Sequence, residues 1–183
     1  MAEYTITELS LEDLYSEMLQ DFNRYQKVTR CWRFENDKFV LKDVPFTEHW
    51  NDDLKREVVA VDFTNCLKDG GVVWGVFDKD NKLIAFACLL ANFFGSTGQY
   101  LQLSQFHVSC ECRGKGVGKQ LFGHVTQKAM NLGAKKLYIS AHSSEETCNF
   151  YQNLGCVDAM EINKEIAELE PYDRQLEFLL TQK

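Results

Sequence analysis

The residues best equipped for chemistry stand in one run, Arg113-Gly114-Lys115-Gly116-Val117-Gly118-Lys119, which leads directly into an amphipathic segment. Three glycines in five positions ahead of a helix let the backbone approach an anion closely. They also leave the first-turn N–H groups free to donate. The positive end of the helix dipole points the same way, and Arg113, Lys115 and Lys119 surround the loop with cations. The chemistry indicated is binding of a phosphate-bearing ligand. Spacing excludes two nucleotide motifs. A Walker A loop would need glycine where Arg113 stands and Ser or Thr where Gln120 stands. A dinucleotide fingerprint needs Gly-x-Gly-x-x-Gly, against Gly114-x-Gly116-x-Gly118 here, and Lys135 and Lys136 occupy the region where an acidic ribose partner would lie.

The neighbouring elements must hold this loop in place. Leu101–Val108 reads as a strand entering it, and the helix leaving it carries Val117, Leu121, Phe122, Val125, Ala129 and Leu132 on one face, stopped by Gly133. Leu137–Ala141 then reads as a strand, which implies a parallel crossover onto Leu101–Val108. Upstream, Tyr4–Leu9 alternates like a strand. Ser10 is placed to cap a helix whose stripe is Leu11, Leu14, Tyr15, Met18, Leu19 and Phe22. Residues 29–46 are aromatic and irregular, with a hairpin turn expected at Glu35–Lys38. Thr47 is expected to cap a second helix, through Trp50, Leu54, Val58 and Val61, ending near Gly70-Gly71. Val72–Phe77 and Lys82–Leu90 form a hairpin about Asp78–Asn81, and Leu83–Leu90, apolar without alternation, is a strand buried on both faces. Ser143 and Glu146 form a capping box for a short helix carrying Thr147, Phe150, Tyr151 and Leu154. Val157–Ile162 and Gln175–Leu180 close the chain as strands, joined by an acidic loop, Asn163–Arg174.

Composition bounds the rest. A chain of 183 residues with 45% hydrophobic and 26% charged residues suits one α/β domain over 1–183, burying about 70% of its unfolded surface. A net charge of −7 argues against a nucleic-acid surface. There is no run of 18 apolar residues, so no membrane partner is expected. The first residues lack the basic and apolar regions of a signal peptide. Seven irregularly spaced cysteines suit reduced thiols, and the expected location is cytoplasmic. Cys110-x-Cys112 has no second pair at zinc spacing, so no metal is expected.

With its loop and element order together, the chain resembles the GNAT superfamily of acetyl-coenzyme A-dependent N-acetyltransferases. The family pattern Arg/Gln-x-x-Gly-x-Gly/Ala is matched by Arg113, Gly116 and Gly118, and a second motif by Phe150-Tyr151-x-x-x-Gly155, where Cys156 replaces the usual Phe. The resemblance covers nearly the whole chain and implies a central mixed sheet flanked by helices, with acetyl coenzyme A as co-substrate. It places the pantetheine arm along Phe106, His107 and Val108, and the pyrophosphate on Arg113, Gly114, Lys115, Gly116, Val117, Gly118 and Lys119. Ser144 is placed beside the cofactor, where many members have Asn. It also implies an oxyanion donor in a backbone N–H near Val108 and makes Tyr151 the catalytic group that assists thiolate departure. Homodimers are frequent in the family.

The departure is the general base. The family often carries Glu on the strand before the loop, where this chain has Gln102 and Ser104. Glu177, the acidic loop before it and His107 remain candidates, although His107 has opposite strand parity to Phe106 and Val108. The expected activity is acetyl transfer to a primary amine of a small molecule or peptide by direct attack in a ternary complex, in a pocket built by residues 29–46 and 163–174. The missing glutamate leaves open a domain that senses acetyl coenzyme A without turnover.

Overall fold

Unbroken apolar runs along the middle strands resolve into two buried faces of one sheet. The computed structural model describes residues 4–181. The strands are β1 (Tyr4–Leu9), β2 (Gln26–Glu35), β3 (Lys38–Glu48), β4 (Val72–Asp78), β5 (Leu83–Leu89), β6 (Tyr100–Val108), β7 (Lys136–Ala141), β8 (Val157–Asp158) and β9 (Arg174–Leu179). The helices are α1 (Asp52–Glu57), α2 (Thr64–Lys68), α3 (Val117–Asn131), α4 (Glu145–Asn153) and α5 (Lys164–Leu169), with a π-helical segment, Val58–Phe63, joining α1 to α2. Seven strands form a mixed sheet in the order β1-β4-β5-β6-β7-β9-β8, and β2 and β3 form a separate hairpin.

On one face of the sheet, Trp74, Val76, Ala85, Ala87, Leu89, Leu101 and Leu103 pack against Val117, Leu121, Phe122, Val125 and Ala129 of α3. On the other, Val73, Leu83, Phe86 and Cys88 meet Met18, Leu19, Phe22, Val58, Val59 and Phe63. All seven residues of β5 are buried, as its unbroken apolar run predicts. Burying side chains such as Leu121, Phe122 and Val125 contributes about 1.5–3 kcal/mol each relative to exposure. That fixes α3, and with it the glycine loop at its N-terminus.

One irregularity shapes the site. Cys88 pairs with Gln105 and Leu89 with Leu103, so Ser104 is an extra residue in β6, a β-bulge whose hydroxyl donates to the Cys88 carbonyl at 3.3 Å. The bulge resets strand parity: Leu101 and Leu103 before it, and Phe106 and Val108 after it, all face the α3 side. Bulges also bend the strand that carries them. The parallel pairing of β6 with β7 covers only Tyr100 to Gln102, and beyond it the two strands separate.

The structure corrects several sequence expectations. Ser10 opens only a 3₁₀ turn, Leu11–Asp13, followed by i+3 turns at Met18, Gln20 and Phe22. Leu11 and Tyr15 are exposed and only Leu14 of the first half of the expected stripe packs on the core, partly buried, and a helix with so little packing does not offset its nucleation cost. Thr47 belongs to β3, and Asn51 caps α1 by accepting from the Leu54 N–H. Ser144, not Ser143, caps α4; the Ser143 hydroxyl accepts from Arg33 instead. The strand expected over Val157–Ile162 is only Val157–Asp158, and the acidic loop contains α5. Leu132, expected to face the sheet, is largely exposed. The hairpin turn at Asn36 and Asp37 is as expected, with both residues in the left-handed region. No helix among the described residues is long and apolar enough to cross a membrane.

Candidate active site

A cleft of about 960 Å³ opens where β6 leaves β7. Its walls are the free edge of β6 from Leu103 to Val108, the end of β7 at Ser140–His142, the glycine loop with the start of α3, and the α4 residues Thr147, Phe150 and Tyr151. Ser109 N–H donates to the Ile84 carbonyl on β5. Backbone alternation therefore turns the N–H groups of Phe106 and Val108 the other way, toward the cleft. The Val108 carbonyl on that edge accepts from Arg113 Nε at 3.1 Å, which ties the head of the loop to the strand.

Gly114 and Gly116 have φ of 72° and 84°, a conformation that strains any residue bearing a Cβ. Gly116 sits at the N-cap of α3 without a side-chain cap, and the first backbone bond of the helix runs from Gln120 to its carbonyl. No N–H from Gly114 to Lys119 donates to a group among the described residues. This is the donor array an anionic pyrophosphate requires, and the loop fits that group. Gly118 lines the cleft and carries a packing constraint besides the close approach expected of it. A Cβ there would lie 3.2 Å from the Phe150 ring and 3.4 Å from Val108 Cγ2, so its missing side chain lets α3 seat against α4 and β6.

Phe106 and Tyr151 meet at a ring separation of 6.2 Å, and Phe150 stacks obliquely on Phe106 at 5.7 Å. Tyr151 is 5% exposed and lines the cleft. Burial first, then the nearby Cys156, Asp173 and Cys148, push its phenol well above the ordinary value. The hydroxyl therefore stays protonated and acts as a donor. Ser144, by contrast, is 1% exposed and does not line the cleft. Its hydroxyl accepts from Gln26 Nε2 and the Thr147 N–H and donates to Thr147 Oγ1, an engagement within the fold that leaves no free group for a ligand.

His107 lines the cleft from β6, but both its ring nitrogens are engaged. Nδ1 accepts from Arg24 Nε at 3.2 Å, so the proton is on Nε2, which donates to Gln105 Oε1 at 2.9 Å. The ring packs between Trp50 and Phe86. Burial above all, with Arg24 and Arg113 adding to it, depresses its pKa well below the ordinary value. It is a neutral structural histidine, not a base.

Glu177 is likewise no base for the cleft, being buried away from it. Its carboxylate accepts from the Tyr100 hydroxyl, from Lys136 Nζ at 2.6 Å and from the Met160 N–H at 3.1 Å. Burial would raise its pKa, but these bonds outweigh it and hold the group below the ordinary 4.5. Its stabilisation is thus present above the unfolded pKa and is lost as pH falls through the lowered folded one. Glu177→Ala is expected to destabilise the fold by about 1–3 kcal/mol for each buried donor left unpaired, as read by denaturant unfolding at pH 7.

The aromatic residues of 29–46 do not enclose the cleft as expected. Arg174 covers the rings of Trp32 and Phe39 instead, at 5.5 and 4.2 Å. The hairpin docks on α4 through the Trp32 N–H to the Ser143 carbonyl and a bidentate Arg30–Glu145 pair. The groups it brings to the cleft are Gln26, at the start of β2, and Thr47 and Glu48, at the end of β3. From the far side, Glu170 and Asp173 do line the cleft. No motif in the sequence singles out Asp173; its signal was only that of a carboxylate in an acidic loop.

The model of the acetyltransferase (GNAT) family matches residues 13–156. The chain belongs to that family. Acetyl transfer is accordingly its general activity, with acetyl coenzyme A as the donor. Solved GNAT-fold structures agree over the full length. A nourseothricin acetyltransferase superposes with a TM-score of 0.70 at 18% identity, covering 97% of this chain and 99% of that one. A protein of Bacillus anthracis str. Ames, assigned as a streptothricin acetyltransferase and solved with acetyl coenzyme A, gives 0.70 at 17%, covering 99% of both chains. AtaTR bound with acetyl coenzyme A gives 0.61 at 15%, covering 97% and 94%. No curated protein sequence matches. At such identities the structures establish the shared fold, and the family's first motif coincides with the free donors of the glycine loop.

Proposed function

We propose that the protein transfers the acetyl group of acetyl coenzyme A to a primary amine of a small, cationic molecule, by direct attack within a ternary complex. The observation that carries this reading is the charge along the lining of the cleft. At one end the glycine loop offers unpaired N–H donors beside Arg113 and Lys119; at the other, Glu48, Glu170 and Asp173 gather. One end suits an anion and the other a cation, with the free edge of β6 between them. Pantetheine would lie along Phe106–Val108 as an added strand, donating to and accepting from the edge that β7 has left. The Val108 N–H would then meet the thioester oxygen and stabilise the negative charge that develops on it. Tyr151 would donate to sulfur as the C–S bond breaks.

The test is a panel of amines (a polyamine, lysine, peptide N-termini and an aminoglycoside) incubated with protein and acetyl coenzyme A, with free thiol measured against time. Amine-dependent thiol release, with the acetylated amine found by mass spectrometry, is the expected result. Binding of acetyl coenzyme A by calorimetry with no release for any amine would favour a sensor domain instead.

A further inference from the structure

We propose that Asp173 takes the proton from the attacking amine nitrogen, filling the role left open by the absence of a carboxylate at Gln102 and Ser104. This rests on the amine reading above and deepens it.

The geometry points to Asp173 through a directed chain of hydrogen bonds. The Tyr138 hydroxyl donates to Gln175 Oε1 at 2.8 Å, Gln175 Nε2 donates to Ser140 Oγ at 2.9 Å, and Ser140 Oγ donates to Asp173 Oδ2 at 3.3 Å. Each group in the chain has its acceptor used from behind and its donor turned forward, and the last acceptor is the carboxylate. Such a chain orients Oδ2 of Asp173 and leaves Oδ1 outside it, and the residue lines the cleft beside Ser140. On α4, Tyr151 lines the same cleft, so the acceptor of one proton and the donor of the other share it.

The remaining titratable groups there are less suited. His142 Nδ1 accepts from the Ser144 N–H at 3.2 Å, and its Nε2 lies 3.6 Å from Glu48, so the ring has no open acceptor. Glu48 is drawn to Arg24 at 3.6 Å. Glu170, Glu146 and His49 are exposed to water. The groups that face Asp173 are Glu170 from the preceding turn, Glu48 from β3, Ser140 from β7, and Tyr151 and Cys148 from α4. Burial first, then Glu170, raise its pKa from 3.8 to about 6 despite the bond from Ser140. Asp173 is therefore ionised at neutral pH yet a far stronger proton acceptor than an ordinary aspartate.

In the step itself the amine nitrogen attacks the thioester carbon, the N–C bond forms and the C–S bond breaks, with no change of oxidation state. Nitrogen becomes acidic as it bonds to carbon and gives its proton to Asp173. An equivalent proton ends on the departing sulfur, supplied from the Tyr151 side, and solvent exchange restores both groups.

Asp173→Asn tests this with the panel amine that the wild type turns over fastest. Expected are a fall in kcat of about 10²-fold or more, acetyl coenzyme A affinity within about twofold of the parent by calorimetry, and loss of the acid limb near pH 6 from the kcat profile. Asp173→Glu should recover part of the rate. Because the raised pKa means ionised Asp173 is disfavoured by folding, its contribution to stability declines as pH rises from about 4 to about 6. The Asn variant should therefore melt no lower than the parent at pH 7.5, which separates a lost base from a lost fold. An Asn variant that keeps the parental kcat, or keeps the acid limb, overturns the proposal. Failure of the amine reading would already show in the wild-type panel, whereas failure of this inference shows in the variant alone.

Discussion

Tyr151→Phe is expected to lower turnover by about 10²-fold or more while leaving acetyl coenzyme A affinity and thermal stability close to those of the parent. The ring is part of the wall: it contacts Phe106, Phe122 and Phe150 at centroid distances of 6.2, 6.4 and 5.2 Å, and Phe preserves all of those contacts. What goes is a hydroxyl with no hydrogen-bond partner among the described residues. The energetics define what that hydroxyl contributes. Moving a proton from a phenol of pKa about 10 to a thiolate of pKa about 8.5 is uphill by roughly 2 kcal/mol in water, and burial raises the phenol further. Full transfer ahead of bond cleavage is thus disfavoured. The effective interaction is a hydrogen bond that strengthens as charge reaches sulfur, which lowers the barrier without tightening the ground state. Steady-state kinetics on a panel substrate, with calorimetry for the cofactor, decide the matter. Turnover within a few-fold of the parent would reduce Tyr151 to an aromatic anchor.

The parts of this site that were legible in the sequence are those whose chemistry is local. A glycine loop before an amphipathic helix, a capped helix with an aromatic pair, and an apolar strand between them each leave a short pattern, because neighbours in sequence do the work. The bulge at Ser104 also leaves a trace in the sequence. Apolar residues stand at 101 and 103 and then at 106 and 108, so the two-residue period slips by one between Leu103 and Phe106. That slip marks an extra residue in the strand. Asp173 left no such trace, since its position depends on Tyr138, Ser140 and Gln175 on two strands 30 or more residues apart in order. Ser10–Phe22 misled in the opposite direction. Its apolar spacing fits a helix, but only Met18, Leu19 and Phe22 are buried in the core, with Leu14 partly buried against it, and three buried anchors in five residues can be held by turns. The pocket-forming role expected of residues 29–46 failed because Arg174, itself bidentate to Asp158, already occupies the rings of Trp32 and Phe39.

Gly118→Val is expected to weaken acetyl coenzyme A binding by about tenfold or more, through packing rather than by direct obstruction of the phosphate. Gly118 is buried in the first turn of α3, where a Cβ would approach the Phe150 ring at 3.2 Å and Val108 Cγ2 at 3.4 Å. A single methyl asks those neighbours to give by a few tenths of an ångström. The branched Val side chain asks for much more, and overpacking of this kind costs about 1–3 kcal/mol. Phe150 is the neighbour that must move, and it stands between Gly118 and the two rings, Phe106 and Tyr151, that line the cleft. Its displacement would spread the distance between the loop that holds phosphate and the strand edge that holds pantetheine. One ligand must reach both, so the strain falls on binding; a change of 1.4 kcal/mol is tenfold in affinity. The expected series is graded, with Gly118→Ala between the parent and the Val variant. Gly123 on the same helix supplies the control, since a Cβ there meets nothing within 4 Å. Gly123→Ala should keep affinity and gain about 0.5–1 kcal/mol of stability from helix propensity. If Gly118→Val lowers the melting temperature while calorimetry returns the parental affinity, then α3 and α4 can separate without disturbing the cofactor, and the small residue at 118 serves the fold alone.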